Sequence, residues 1–372
     1  MKNIFFLLFV LIAAHSAKAQ NNYLVVGTYT SGKSEGIYVY NFNSSTGDFS
    51  YVSKIKSANP SYLAVSPNQQ YVYAVNEEGR NEKGGSVTAY RFDKKMGQLS
   101  FLNQQLSGGD DPCYVAVDKT GKWVTAGNYT GGSISVLPVQ PNGALGKLSA
   151  HIQHTGSSVN KERQEKAHVH CTYFSKDNRF LFVPDLGMDK VMIYTFNEKN
   201  GMLKTAAQPF VNADTGAGPR HIIFHPNNNY AYLMQELTGT VVAYKYKNGR
   251  LTAMQKKSAA SKNFTGFMGS ADIHVSADGK FLYCSNRGES NTITIFKINA
   301  ADGKLSMAGI QPTLGSAPRN FNFDPSENFL LVANQNSDNI IIFKRDKKTG
   351  LLTDTGKKIE VGNPVCLKWI TK

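Results

Sequence analysis

The chain has 372 residues, 41% of them hydrophobic, and a formal net charge of +14. That is enough apolar chain to bury a full core, and no Pro/Ser-rich linker or low-complexity run divides it. The lysines sit mainly in turn sequences such as DKKMGQL, KYKNGRL and KRDKKTGLL. This scatter lacks the basic patch with interleaved aromatics that nucleic-acid binding needs, and it supports only a preference for anionic ligands.

The first element is MKNIFFLLFVLIAAHSAKAQ. Lys2 supplies a positive start, Ile4 to Ala14 an apolar core and Ala17-Lys18-Ala19 an A-x-A cleavage site, so residues 1–19 read as a secretory signal peptide. The apolar run is too short for a membrane span, and no later run approaches the roughly 18 residues one requires. The expectation is an exported protein, periplasmic or secreted, with residues 20–372 as one domain and a monomer. The four cysteines, Cys113, Cys171, Cys284 and Cys366, are widely spaced inside strand-like runs and read as buried free thiols.

Beyond the signal, one pattern recurs along the chain. NPSYLAVSPNQQYVYAVNE starts at Asn59 and DPCYVAVDKTGKWVTAGNY at Asp111. HVHCTYFSKDNRFLFVPDL starts at His168, GPRHIIFHPNNNYAYLMQE at Gly218, SADIHVSADGKFLYCSNR at Ser270 and APRNFNFDPSENFLLVANQ at Ala317. Each is a pair of alternating strands around a polar turn. A third strand and a Gly turn (MGQL, NGAL, NGML, NGRL, DGKL, TGLL) lead to a fourth. The N-terminal stretch lacks a first strand, and NPVCLKWI at Asn363 is a first strand with nothing after it. Seven four-stranded units, the last completed by both chain ends, predict an all-β seven-bladed propeller closed by pairing the C-terminal strand with the N-terminal strands.

The repeat also exposes its exceptions. The residue that opens the innermost strand is Ser61, Cys113, His170, Arg220, Ala271, Arg319 or Val365. Sixteen positions later, at the end of the second strand, stand Glu77, Tyr129, Leu186, Glu236, Arg287 and Gln335, with Tyr29 in the N-terminal copy. A hairpin brings these two positions together, so both series belong to one rim of the central channel. His170, Arg220, Glu236, Arg287, Arg319, Gln335 and Glu77 are therefore the candidate site. The alternative is that Arg220 and Glu236 simply pair as a blade-end salt bridge. A gathered cluster of polar groups carries a desolvation penalty that a ligand offsets. Three guanidiniums against two carboxylates favour a ligand bearing carboxylate or phosphate.

Other residues take structural readings. His168 alternates with His170 and faces the other way, and no Cys/His spacing supplies a zinc site. His221, His225 and His274 are strand or turn histidines. Gly216-Ala217-Gly218 leads into a strand, which excludes a dinucleotide fingerprint, and neither a P-loop nor a G-x-S-x-G elbow is present.

At GAGPRHIIFHP, QELTGTV, ADIHVSADGKFLYCSNRG and APRNFNFDPSENFLLVAN the chain resembles the seven-bladed lactonase family. That family includes the propeller-type 6-phosphogluconolactonases and the fungal carboxy-muconate cyclases. The resemblance implies a site at the channel mouth with His170, Glu236, Arg220 and Arg287 as catalytic residues and no metal or cofactor. Arg319, Gln335 and Glu77 join as substrate-binding residues from the repeat pattern. The implied reaction is hydrolysis of a small anionic sugar lactone. Glu236 or His170 would act as general base, Arg220 and Arg287 would face the oxyanion, and Arg319 would hold the anionic group. Two other readings stay open: a non-catalytic exported propeller that binds a sugar acid or envelope partner, and a muconate-type cyclase or isomerase.

Overall fold

Each repeat folds into one four-stranded antiparallel sheet, and seven such sheets form the ring. This computed structural model describes residues 21–79 and 84–372; the expected signal peptide of residues 1–19 lies outside the described residues. The innermost strands are Leu63–Val65, Pro112–Val117, Tyr173–Phe174, Pro219–Phe224, Ser270–Val275, Pro318–Phe323 and Pro364–Thr371. The last of these pairs antiparallel with Asn21–Thr28, Tyr23 facing Ile370 and Val25 facing Lys368. The two chain ends thus complete one blade, as the split repeat predicts, and no strand edge is left open at the seam.

Both faces of each blade pack on neighbouring blades, so the middle strands are apolar almost throughout. Tyr71–Asn76, Phe180–Asp185 and Phe329–Asn334 are nearly continuous runs of buried residues. A regular device seals each blade to the next. The glycine of every outer turn packs on the aromatic residue at the start of the preceding blade's second strand. Gly97 lies on Tyr23, Gly143 on Tyr71, Gly201 on Trp123, Gly249 on Phe180, Gly303 on Tyr230, Gly350 on Phe281 and Gly47 on Phe329. A Cβ at these positions would sit 2.1–2.8 Å from the ring atoms, and every one of these glycines has positive φ. Turn geometry and blade spacing therefore require the same residue.

The four cysteines are buried free thiols. Among the described residues no helix is long and apolar enough to cross a membrane.

Candidate active site

The innermost strands do not begin as simple hairpins. Pro219 faces Gln235 and His221 faces Met234, which leaves Arg220 unpaired between them as a β-bulge. The same shift leaves Cys113 between Pro112 and Tyr114, Arg319 between Pro318 and Asn320, and Val365 between Pro364 and Cys366. A bulge re-aims the extra side chain and bends the strand. That is how one repeat position comes to present its residues at the channel mouth. In the His170 blade the ladder is broken instead: the His170 amide donates to Pro184 O at 3.0 Å, and the strand proper resumes at Tyr173.

A cavity of about 510 Å³ opens at this mouth. His170, Glu236, Arg287, Arg319, Gln335 and Glu77 line it, from several blades at once. Arg220 does not. It is only 1% exposed and lies behind Glu236, so the expectation that it faces a substrate oxyanion is corrected. Its Nε donates to Glu236 Oε2 at 2.8 Å and its Nη1 to Ala271 O at 2.7 Å.

Glu236 is the hub. Oε1 accepts from Arg163 Nη2 at 2.7 Å, and Arg287 Nη2 pairs with Oε2 at 3.2 Å beside Arg220. Burial would raise this carboxyl, but Arg287, Arg220 and Arg163 outweigh it and hold it well below the usual carboxylate range. His170 Nε2 stands 4.0 Å from Oε2. Burial, then the charges of Arg220 and Arg319 with His221 between them in weight, press His170 well below its ordinary value, so it is a neutral imidazole. Its Nδ1 lies 3.7 Å from Cys113 Sγ, and burial pushes that thiol well up, which keeps it protonated.

Across the cavity the second carboxylate has a different environment. Glu77 accepts from Tyr29 Oη at 2.9 and 2.8 Å on its two oxygens, and from Ser61 Oγ. Arg319 Nη2 comes only within 4.0 Å of Glu77, and its guanidinium lies 5.3 Å from the centre of the Tyr29 ring. The two carboxylates are thus held differently: Glu236 by cations, Glu77 by hydroxyl groups.

The repeat pattern did not single out Arg163, which comes from the segment between blades, outside the repeated strands. Its Nη2 also donates to Tyr129 Oη at 3.2 Å. What fixes this segment is Asp189, a left-handed residue at φ 50°. Its carboxylate accepts from Ser158 Oγ at 2.5 Å, Gln164 Nε2 at 2.8 Å, and the amides of Gly216 at 2.6 Å and Gly218 at 2.8 Å. The GAG turn that introduces Arg220 and the loop that carries Arg163 are therefore clamped by one side chain. Nothing in the spacing of the sequence pairs Asp189 with the GAG turn, so Arg163 had no signal there.

His168 faces away from the cavity and stacks on Tyr129, with Nδ1 3.0 Å from Tyr129 O and Nε2 3.1 Å from Glu165. His225 binds Gly279 O at 2.9 Å, in keeping with a turn role. His221 is a different matter: its Nε2 touches Arg220 Nη1 at 3.2 Å.

The model of a family described as "Lactonase, 7-bladed beta-propeller" matches residues 23–369. A 6-phosphogluconolactonase of Formosa agariphila is 40% identical over 352 residues, spanning 94% of this chain and 99% of the relative. One of Bacillus subtilis is 39% identical over 93% of this chain and 97% of its own length. Among solved structures, the periplasmic gluconolactonase of Pseudomonas aeruginosa superimposes with a TM-score of 0.90 at 37% identity, covering 94% of this chain and 99% of the other.

Proposed function

Because the chain belongs to the seven-bladed β-propeller lactonase family, we propose that it hydrolyses a sugar lactone at the channel mouth, 6-phosphogluconolactone or a related aldonolactone. One observation carries the reading: a neutral histidine faces an arginine-clamped carboxylate in a cavity that also holds guanidiniums turned toward its space. Glu236 has its oxygens occupied by Arg163, Arg220 and Arg287, which makes it a poor proton acceptor. His170 is the better base. A water loses its proton to His170 as its oxygen bonds to the lactone carbonyl carbon, and Glu236 stabilises the imidazolium across the 4.0 Å gap. Arg287 and Arg163 face the developing oxyanion. Collapse breaks the ring C–O bond, the leaving oxygen takes the proton from His170, and the product is the open sugar acid. Arg319, with no carboxylate nearer than 4.0 Å among the described residues, anchors a substrate phosphate or carboxylate together with Gln335, while Glu77 accepts from a substrate hydroxyl.

Export accompanies this reading. The N-terminal sequence supports it, and one relative is a periplasmic gluconolactonase. A monomer acting on a free small molecule follows, with residues 20–372 as its one domain and no cofactor required.

The test is acid release from a panel of lactones, with and without a 6-phosphate, with spontaneous hydrolysis subtracted and His170→Asn run beside the wild type. Turnover that His170→Asn loses is the expected result. If no lactone opens above the blank while sugar acids still bind, the site is a receptor and the hydrolase reading fails.

A further inference from the structure

Arg220 never reaches the cavity, so whatever it does for the reaction it does through Glu236. The hydrogen bonds behind it form a single file. Arg220 Nη1 meets His221 Nε2 at 3.2 Å, and His221 Nδ1 meets Asp272 Oδ1 at 2.9 Å. Arginine has no acceptor, so His221 Nε2 must carry the lone pair and Nδ1 the proton. Asp272 in turn accepts from its own neighbour Ile273 N at 3.0 Å, from His274 Nε2 at 2.9 Å and from Asn320 Nδ2. Asn320 Oδ1 accepts from Leu367 N at 2.8 Å, on the strand that closes the ring. Arg220, His221, Asp272 and Glu236 are each no more than 5% exposed.

We infer that His221 is a positioning residue: Asp272 fixes it as the Nδ1–H tautomer, and its Nε2 holds Arg220 in the orientation that clamps Glu236. The rings of Tyr114, Tyr62 and His170, with centroids 5.3, 6.0 and 5.4 Å away, hold the imidazole plane. The charged and titratable groups around it are Arg220, Asp272, His274 through Asp272, and those three rings. Burial and then Arg220 press its pKa down to about 4, in keeping with a neutral ring at working pH. The inference deepens the proposed lactonase and rests on that reading for its kinetic test.

The experiment compares His221→Gln and His221→Phe in the full chain, by steady-state lactone turnover and melting temperature. A separate ¹⁵N NMR measurement reads the His221 tautomer in the wild type. His221→Phe removes the acceptor, and kcat falls ~10- to 100-fold with KM within about twofold. The Gln amide oxygen can accept from Arg220 again, so His221→Gln recovers most of that loss at a similar melting temperature. Equal losses in both variants, or full kcat in His221→Phe, would overturn the assignment. Should both variants fail to fold, or should the wild type open no lactone, the tautomer decides. An Nδ1–H ring with a bare Nε2 upholds the positioning role, and an Nε2–H or doubly protonated ring defeats it. Absence of wild-type turnover defeats only the lactonase reading.

Discussion

Glu236 binds three guanidiniums with one carboxylate, and its removal has consequences for folding as well as chemistry. Glu236→Gln leaves Arg220 and Arg287 facing each other without a counter-charge, and loss of one partner from such a buried group costs ~3–5 kcal/mol. Calorimetric or thermal unfolding of this variant beside the wild type measures it. The sign of the pH dependence follows from the depressed carboxyl. Its folded pKa lies below its unfolded one, so the stabilisation is fully present above the ordinary Glu value of about 4.3 and is lost only as pH falls through the lower folded pKa. The stability gap between wild type and variant should stay constant from neutral pH down to about pH 5. His170 is likewise pressed down, which keeps its base form available in acid. The profile of kcat/KM against pH should run flat through about pH 6.5, where an unperturbed histidine would begin to lose activity. A fall centred there would assign the base elsewhere. Arg163 offers a third check: Arg163→Ala should lower kcat/KM by ~10-fold or more, while Arg163→Lys restores charge without the fork and recovers it only in part.

At the level of the element, what matters is where a strand departs from regularity. Repeat spacing alone located Arg220 and Arg319 at one rim, because the departure recurs at one register position in several blades. It could not say that Arg220 would be buried behind Glu236 while Arg319 reached the cavity. Both are bulge residues; the difference comes from Ala271 O on the neighbouring blade and from His221 on Arg220's own strand, which together capture Arg220. The turn glycines were legible as turn formers, yet their second duty against an aromatic ring of the preceding blade was not. Gly249→Ala tests that duty. The new Cβ would lie 2.2 Å from Phe180 at a residue with φ of 78°, so the change should destabilise by more than ~1 kcal/mol, where a glycine-to-alanine change at a compatible position would stabilise. A denaturant midpoint equal to wild type would remove the proposed seal.

The whole molecule stands on the seam between its ends. Pro364–Thr371 supplies the innermost strand of a blade whose other three strands lie at the N-terminal end of the described residues, and its Leu367 amide reaches the polar file behind the candidate site. A chain ending at Asn363 would expose the Asn21–Thr28 edge. Aggregation, or loss of a single cooperative melt, is the expected outcome by size-exclusion chromatography and calorimetry. A soluble, native-like melt would show that the ring does not need this strand.

Sequence by itself determined the propeller, the number of blades, the split closing blade and the position of the rim. Those follow from periodicity, and periodicity is written in every copy. It also picked out His170, Glu236 and Arg287, because each breaks the rule of its repeat position. Only the tertiary structure decided that Arg220 lies behind Glu236, that Arg163 enters from a loop with no repeat to flag it, and that Glu236 is clamped while Glu77 is held by hydroxyl groups. These depend on contacts between blades. A contact between residues dozens of positions apart leaves no mark in the spacing of either one.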